Sequence, residues 1–171
     1  DRAAIGDIST TGAGTIDVAA ATGAITMIDG AETRTVDANI RYQAETDIAL
    51  GGVLAGTANV SITATSGDIT DSGAAHTEVV ANALRMKAGG NIGEPADTNE
   101  GHLDTTVNDV TALAAGSQGI FVTNSQAVTV TEVDEVPVQR VDDQATVAEE
   151  ADADKKSDLM TQTNNGAIVL V

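Results

Sequence analysis

Apolar and polar residues alternate over short stretches of this chain, and the clearest of these stretches covers residues 58–69. Apolar side chains occupy every second position from Val60 to Ala64, and serine or threonine fills the positions between them. A period of two predicts a β-strand with one buried face. Ser66-Gly67 predicts a turn after this strand, and Ile69 begins a second short strand.

This unit of strand, turn and short strand recurs along the chain, and each copy carries an isoleucine just after its turn. By subtraction of residue numbers, the isoleucines follow one another at intervals of 23, 21, 23 and 28 residues: Ile25, Ile48, Ile69, Ile92 and Ile120. A further isoleucine, Ile168, follows Ile120 by 48 residues, close to two further periods. A repeat of roughly 20 to 30 residues made only of strands and turns is typical of a β-solenoid.

We therefore predict an all-β chain folded as a parallel β-helix, that is, a β-solenoid of about seven rungs of 20–28 residues. Each strand should hydrogen-bond the strand one rung below, because a single rung cannot bury its own apolar face. Residues 15–133 should hold parallel strands and almost no helix, with the repeated isoleucines stacked in one interior column. The alternation places Ile62 inside the wall and Thr63 outside it.

The chain divides into three segments that differ in repeat pattern and charge. Residues 1–133 carry the solenoid rungs, residues 134–158 form an acidic insertion or loop, and residues 159–171 return as a terminal rung strand. The polar stretch 94–102 has no period, which predicts a loop that leaves the solenoid wall. Within the acidic segment, residues 145–153 suit either a solvated loop or a short helix.

Composition limits which side chains can build the core and which classes of partner the chain can bind. Tyr42 and Phe121 are the only Phe, Tyr or Trp residues, so the interior must be built from aliphatic side chains. Eight Lys and Arg residues against 26 Asp and Glu residues give a net charge of -18, which disfavours nucleic acid and anionic membranes as partners. The chain has no cysteine and no apolar run of 18 residues, so we predict neither disulfides nor a membrane span. The repeat pattern is already present at residues 5–8, and we expect a fragment or a processed product.

Candidate catalytic chemistry is sparse. His76 and His102 are the only imidazoles, and His102 with Asp104 would place two metal ligands on one side of a strand. We expect His102 to be exposed and without a role, since it lies in the predicted loop and no third ligand is evident. No Gly-x-Ser-x-Gly motif is present, and the glycosylation sequon at Asn59 is fortuitous because it lies inside a strand. We therefore assign no catalytic, cofactor-binding or metal-binding residue and predict that the chain is not an enzyme.

Short polar residues come just before the repeated isoleucines, as at Asp47, Asp68 and Asn91, with Asp7 at a comparable place. The simpler interpretation is that such residues suit the position after a tight turn. A second interpretation is a Ca²⁺ ladder, because stacked rungs would bring these oxygens together along the wall. The acidic run that ends at Asp158 suits a solvated loop, with ion binding or a basic partner as the alternative. We predict no cofactor, with Ca²⁺ as the one ion left open.

Several units resemble the repeat regions of very large bacterial surface proteins. The likeness lies in VSITATSGDI at residues 60–69, LRMKAGGNIG at 84–93 and GAIVLV at 166–171. These units are similar to those of the filamentous-haemagglutinin-like adhesins. The resemblance implies a right-handed parallel β-helix that is secreted, is attached to the bacterial cell surface, and has no catalytic residues.

The expected function is that of a non-enzymatic structural segment of an extracellular bacterial adhesin or surface filament, acting as a stiff stalk or an assembly module. Its expected partners are other copies or further repeats joined end to end, and host or cell-surface ligands stay open. The alternatives are a self-assembling filament or sheath subunit and a β-helix enzyme that acts on polysaccharides. Ice binding would need regular Thr-x-Thr ladders, which Ser61 and Thr63 suggest but Arg41 and Arg85 interrupt.

Overall fold

The computed structural model describes residues 6–73, 76–96, 101–141, 146–150, 157–162 and 166–171. The regular elements of these residues are β-strands, and the predicted fold class, an all-β parallel β-solenoid, is confirmed. No helix in this part of the chain is long and apolar enough to cross a bilayer. In chain order the strands are β1 (Ile8–Ser9), β2 (Ile16–Ala20), β3 (Ile25–Thr26), β4 (Glu32–Arg34), β5 (Ile40–Ala44), β6 (Ile48–Leu50), β7 (Gly52–Leu54), β8 (Asn59–Ala64), β9 (Ile69–Asp71), β10 (Val79–Val80), β11 (Ala83–Ala88), β12 (Leu103–Thr106), β13 (Asp109–Ala114), β14 (Gly119–Asn124), β15 (Thr129–Val130), β16 (Val138–Val141), β17 (Val147–Glu150), β18 (Leu159–Thr161) and β19 (Ala167–Leu170).

Three parallel sheets run along the solenoid, and successive rungs add strands to each of them. The first sheet has the order β2–β5–β8–β11–β13–β15, with β18 beside β15 on β13. The second sheet, β3–β6–β9, continues through single bridges at Ile92 and Ile120. The third sheet has the order β1–β4–β7–β10–β12–β14–β19.

The repeated isoleucines stack in one interior column, as predicted. Each isoleucine pairs with the next one along the chain, in the order Ile25, Ile48, Ile69, Ile92, Ile120. The four later members are fully buried, whereas Ile25 is half-buried because it lies at one end of the column. Ile168 pairs with Ile120 at the other end and is 45% exposed. The column is therefore an apolar spine of the second sheet.

The solenoid has about five turns, so the predicted count of about seven rungs is too high. The 48 residues between Ile120 and Ile168 count as two periods in the sequence, but the two isoleucines pair directly with each other. The extra residues leave the wall within a rung. β15 pairs with Asp109 and Val110, and β18 pairs with the last three residues of the same strand β13.

Residues 131–141, here called the strap, cross the outer face of the first sheet from β15 to β2. The carbonyl of Asp134 accepts a hydrogen bond from Arg85 at 3.4 Å, and the carbonyl of Pro137 accepts one from Asn39 at 2.9 Å. Three valines of the strap are buried: Val133, Val136 and Val138. The strap therefore turns much of the outer face of this sheet into a second buried layer.

The strap ends in a hairpin formed by β16 and β17, which is the one antiparallel pair of the described residues. The helix that the sequence allowed over residues 145–153 is wrong for residues 147–150; residues 145 and 151–153 lie outside the described part. This segment has no apolar helical face, so pairing with β16 satisfies its main chain better than an isolated short helix would. The predicted division of the chain at residues 133 and 158 stays a prediction.

Candidate functional site

Three carboxyl side chains meet where the second sheet leads into the third, and we call Asp71, Glu78 and Asp104 the acid corner. Asp71 ends β9 and Glu78 immediately precedes β10. Because Val79 pairs with Thr105, Glu78 lies beside Asp104 of the next rung. The main-chain nitrogen of Asp104 donates a hydrogen bond to Glu78 Oε2 at 2.5 Å. Glu78 is 1% exposed, so this carboxyl group is enclosed by the wall.

Burial controls the ionisation of the acid corner. It raises the pKa of Glu78 to about 8, although the hydrogen bond from the main chain of Asp104 opposes the change. Burial also raises the pKa of Asp71 and of Asp104 above their ordinary values. At neutral pH Glu78 is therefore a neutral acid, and its hydroxyl can donate to the carboxylate of Asp71.

A cleft of about 300 Å³ opens beside the acid corner. Asp71 and Glu94 provide its carboxyl groups, and Gly101 closes the base of the loop through a hydrogen bond from Glu94 N to its carbonyl at 2.7 Å. The hydroxyl oxygen of Ser72, another lining residue, is buried and has no hydrogen-bond partner. Carboxyl groups whose pKa values differ can exchange protons with a ligand, but the burial of Glu78 keeps its oxygens away from the cleft.

The two histidines take different positions. The expectation that His102 is exposed is wrong: it is 5% exposed, its Nδ1 lies 3.1 Å from Thr123 Oγ1, and its ring packs against Phe121. The loop closes at Gly101, just before His102, which places this side chain on the wall. His76 is more exposed, with Nε2 3.9 Å from a carboxylate oxygen of Asp29. Among the residues described here, no group of three His, Cys, Asp or Glu side chains is placed to hold a metal ion.

The polar residues before the isoleucines form a ladder that serves the turns. Asp47 Oδ1 accepts a hydrogen bond from Asp68 N at 2.9 Å, and Asp68 Oδ1 accepts one from Asn91 N at 2.5 Å. Asn91 Oδ1 in turn accepts from Gln118 N and Gly119 N at 2.9 and 3.1 Å. These contacts are those expected of turn residues, and Ca²⁺ binding by the same oxygens stays a prediction.

Glycine is required where the ladder passes beneath the next turn. A Cβ atom on Gly67 would clash with Asp47 Oδ1, and one on Gly90 would clash with Asp68 Oδ1. The small residue lets the carboxylate oxygen approach the main chain above it. The Gly-Asp and Gly-Asn pairs of the repeat are thus two parts of one contact between rungs.

Sequence reasoning missed a second ladder, made of amide side chains at or just before the starts of strands in the first sheet. Three of its hydrogen bonds join side-chain amides of neighbouring rungs at 3.0–3.4 Å, and in a fourth the main-chain nitrogen of Asn59 donates to Asn39 Oδ1 at 3.1 Å. The members of the ladder are Asn39, Asn59, Asn82, Asn108 and Gln126. The signal was present, because the four asparagines recur at intervals of 20, 23 and 26 residues by subtraction. Asn59, the residue of the sequon, uses its side chain in this ladder.

Sequence reasoning also missed a buried ion pair beneath the strap. Arg41 Nε and Nη2 donate to the two carboxylate oxygens of Asp17 at 3.0 and 3.2 Å, and both side chains are nearly fully buried. Arg140 of the strap lies 3.5 Å from the same carboxylate. Ser61, an outward position in the alternation, is also fully buried because the strap covers this face.

Comparison with protein-family models, with curated proteins and with solved structures gave no match.

Proposed function

We propose that this chain is a non-enzymatic structural segment of an extracellular bacterial adhesin or surface filament, of the filamentous-haemagglutinin-like type, and that it acts as a stiff stalk or assembly module. The observation that carries the proposal is the unbroken isoleucine column from Ile25 to Ile168. Six stacked strand positions, about 4.8 Å apart, give a column of roughly 24 Å.

Contacts between rungs support a mechanical role. Main-chain hydrogen bonds join every rung to the next in the three sheets, and the two polar ladders add side-chain links along the same axis. The strap, pinned by Arg140 at Asp17 and by Asn39 at Pro137, braces the first sheet lengthwise. Bending the solenoid would have to disturb several of these connections at once.

The surface supports contacts at the ends rather than along the sides. A net charge of -18 disfavours side-by-side association of copies. Apart from Val141 and Val147 of the hairpin, the large exposed apolar side chains of the described residues lie in or next to the first and last rungs: Ile8, Ile28, Val36, Val130, Met160, Ile168 and Val171. Further repeats or other copies joined end to end are the partners that such surfaces suit.

Location and attachment are tested on intact cells of the source organism. Protease added outside the cells should remove the protein, and antibody against the solenoid should label unbroken cells. Retention of the protein in protease-treated cells, with release only after lysis, would contradict an extracellular stalk.

A second candidate is a β-helix enzyme that acts on polysaccharides, which the carboxyl-lined cleft at Asp71 and Glu94 favours. Release of reducing ends or of unsaturated products from acidic polysaccharides tests it. Turnover that Asp71→Asn abolishes while exposed Glu45→Gln leaves it intact would establish the enzyme and overturn the structural proposal.

A further inference from the structure

Glu78 is enclosed among other carboxyl groups, so the packing around its side chain depends on whether the carboxyl group carries a proton. Asp71 faces its side chain from the end of β9, and Asp104 lies beside it on β12. Two carboxyl groups can hydrogen-bond each other only if one of them carries a proton. The contact between Glu78 and Asp71 therefore requires a protonated carboxyl group.

The wider surroundings are also mostly acidic. Asp29 adds negative charge near Asp71, with His76 3.9 Å from Asp29. The charge interaction with His102 lowers the pKa of Asp104 and so partly opposes the effect of burial. Glu94 lines the same cleft as Asp71. An ionised Glu78 would thus be a buried charge facing other negative groups, a costly arrangement.

We propose that Glu78 is a proton-dependent latch, which keeps the acid corner closed while it is protonated and releases that corner at alkaline pH while the three sheets stay paired. The released residues are Ser72 and Gly73, residues 76–78, and the base of the loop at Glu94 and Gly101. This regulation goes beyond the role of a stalk and does not depend on it.

The separation between corner and sheets follows from the pairing. Ile69 and Val79, on either side of the corner, are held by strands above and below them and face the buried core. Glu78 contributes no side chain to those interior columns. With a pKa of about 8, Glu78 of the closed corner is mostly protonated at neutral pH and ionises over the next two pH units. By linkage, the equilibrium constant for opening should rise about tenfold between pH 7 and pH 9.

Hydrogen exchange measured by mass spectrometry tests the latch. Exchange is followed from pH 6 to 9.5 and corrected for the intrinsic rate, in peptides that cover the acid corner and in peptides that cover β8 and β11. In the unaltered chain, protection of the corner should fall about tenfold between pH 7 and pH 9 and level off above that range, while β8 and β11 stay protected. In Glu78→Gln the fall should disappear, because the amide keeps the hydrogen bonds of a protonated carboxyl and cannot ionise.

Glu45→Gln is the matched control, since Glu45 is exposed and the variant changes the charge equally; it should behave as the unaltered chain. Equal pH dependence in corner and sheets, or persistence of the fall in Glu78→Gln, would overturn the latch. If Glu78→Gln fails to fold, a carbon-13 titration of the Glu78 carboxyl in the unaltered chain decides. A midpoint near pH 8 supports the latch and one near pH 4–5 overturns it. Neither result bears on the location of the protein, so the stalk proposal is tested separately.

Discussion

Asp68 accepts two hydrogen bonds from Asn91 of the next rung, at 2.5 Å from the main-chain nitrogen and 3.1 Å from the side-chain nitrogen. Asp68→Ala should therefore lower the free energy of unfolding by about 1–3 kcal/mol, because a partly buried N–H loses its acceptor. Asp68→Asn should cost less, since the amide oxygen still accepts. Urea denaturation of the two variants measures the difference, and equal losses would show that the carboxylate acts by charge alone.

Calcium should stabilise the chain no more than sodium does at matched ionic strength, because the ladder oxygens of Asp47 and Asp68 already accept hydrogen bonds and only screening of the acidic surface is left. Thermal unfolding in the two salts is the measurement. A saturable rise of the melting temperature with Ca²⁺, removed by Asp47→Asn or Asp68→Asn, would instead establish a calcium ladder.

Adjacent positions of β8 should respond very differently to the same substitution. Ile62 is fully buried between Tyr42 and Met86, so Ile62→Asp should cost more than about 4 kcal/mol by burying an unpaired charge. Thr63 is only half-buried and pairs with Gln43 and Lys87 of the neighbouring strands, so Thr63→Asp should change stability by less than about 1 kcal/mol. Similar melting temperatures for the two variants would mean that the inside and outside of the wall are misassigned.

Removing the carboxylate of the buried ion pair should lower the free energy of unfolding more than removing the carboxylate of the exposed pair. Asp17→Ala removes the carboxylate that pairs with the buried guanidinium of Arg41 and should cost about 3–5 kcal/mol. Glu32→Ala removes the partner of the exposed Arg34 and should cost no more than about 1 kcal/mol. Urea denaturation compares them. A small loss in Asp17→Ala would mean that the strap is not anchored at this site.

The pKa of Glu78 also predicts how stability depends on pH. Its folded-state pKa, about 8, is above its ordinary value of 4.5, so the folded state binds the proton more tightly. The contribution is full below pH 4.5 and is lost as pH rises through 8, with a slope up to about 1.4 kcal/mol per pH unit. Glu78→Gln should flatten the curve over this range relative to Glu45→Gln. Parallel curves for the two variants would contradict the buried neutral carboxyl.

Periodic features of the sequence predicted the fold well, since each rung repeats the same local requirements. A turn followed by an isoleucine recurs because each rung must place one apolar side chain over the last, and Ile25 to Ile120 form the column that this spacing indicates. The alternation around Ile62 likewise follows from the pleat of the strand.

Features that depend on the non-repeating strap could not be predicted in this way. The pairing of Arg140 with Asp17 joins residues far apart in the chain, and no local pattern encodes it.

Glu78 precedes a strand of only two residues, too short to show an alternation that would place it inside. The asparagine ladder was within reach, because Asn59 and Asn82 recur at or just before the start of a strand.

A stiff stack of rungs fixes the distance between its two ends, and spin labels measure that distance directly. The chain has no cysteine, so Thr26→Cys with Ala167→Cys labels two exposed positions on the first and last strands stacked along the isoleucine column. Double electron–electron resonance should give one narrow peak, corresponding to about five strand spacings, roughly 24 Å, plus the label linkers. A broad distribution, or a mean beyond about twice that length, would contradict a continuous rigid solenoid and with it the proposed stalk.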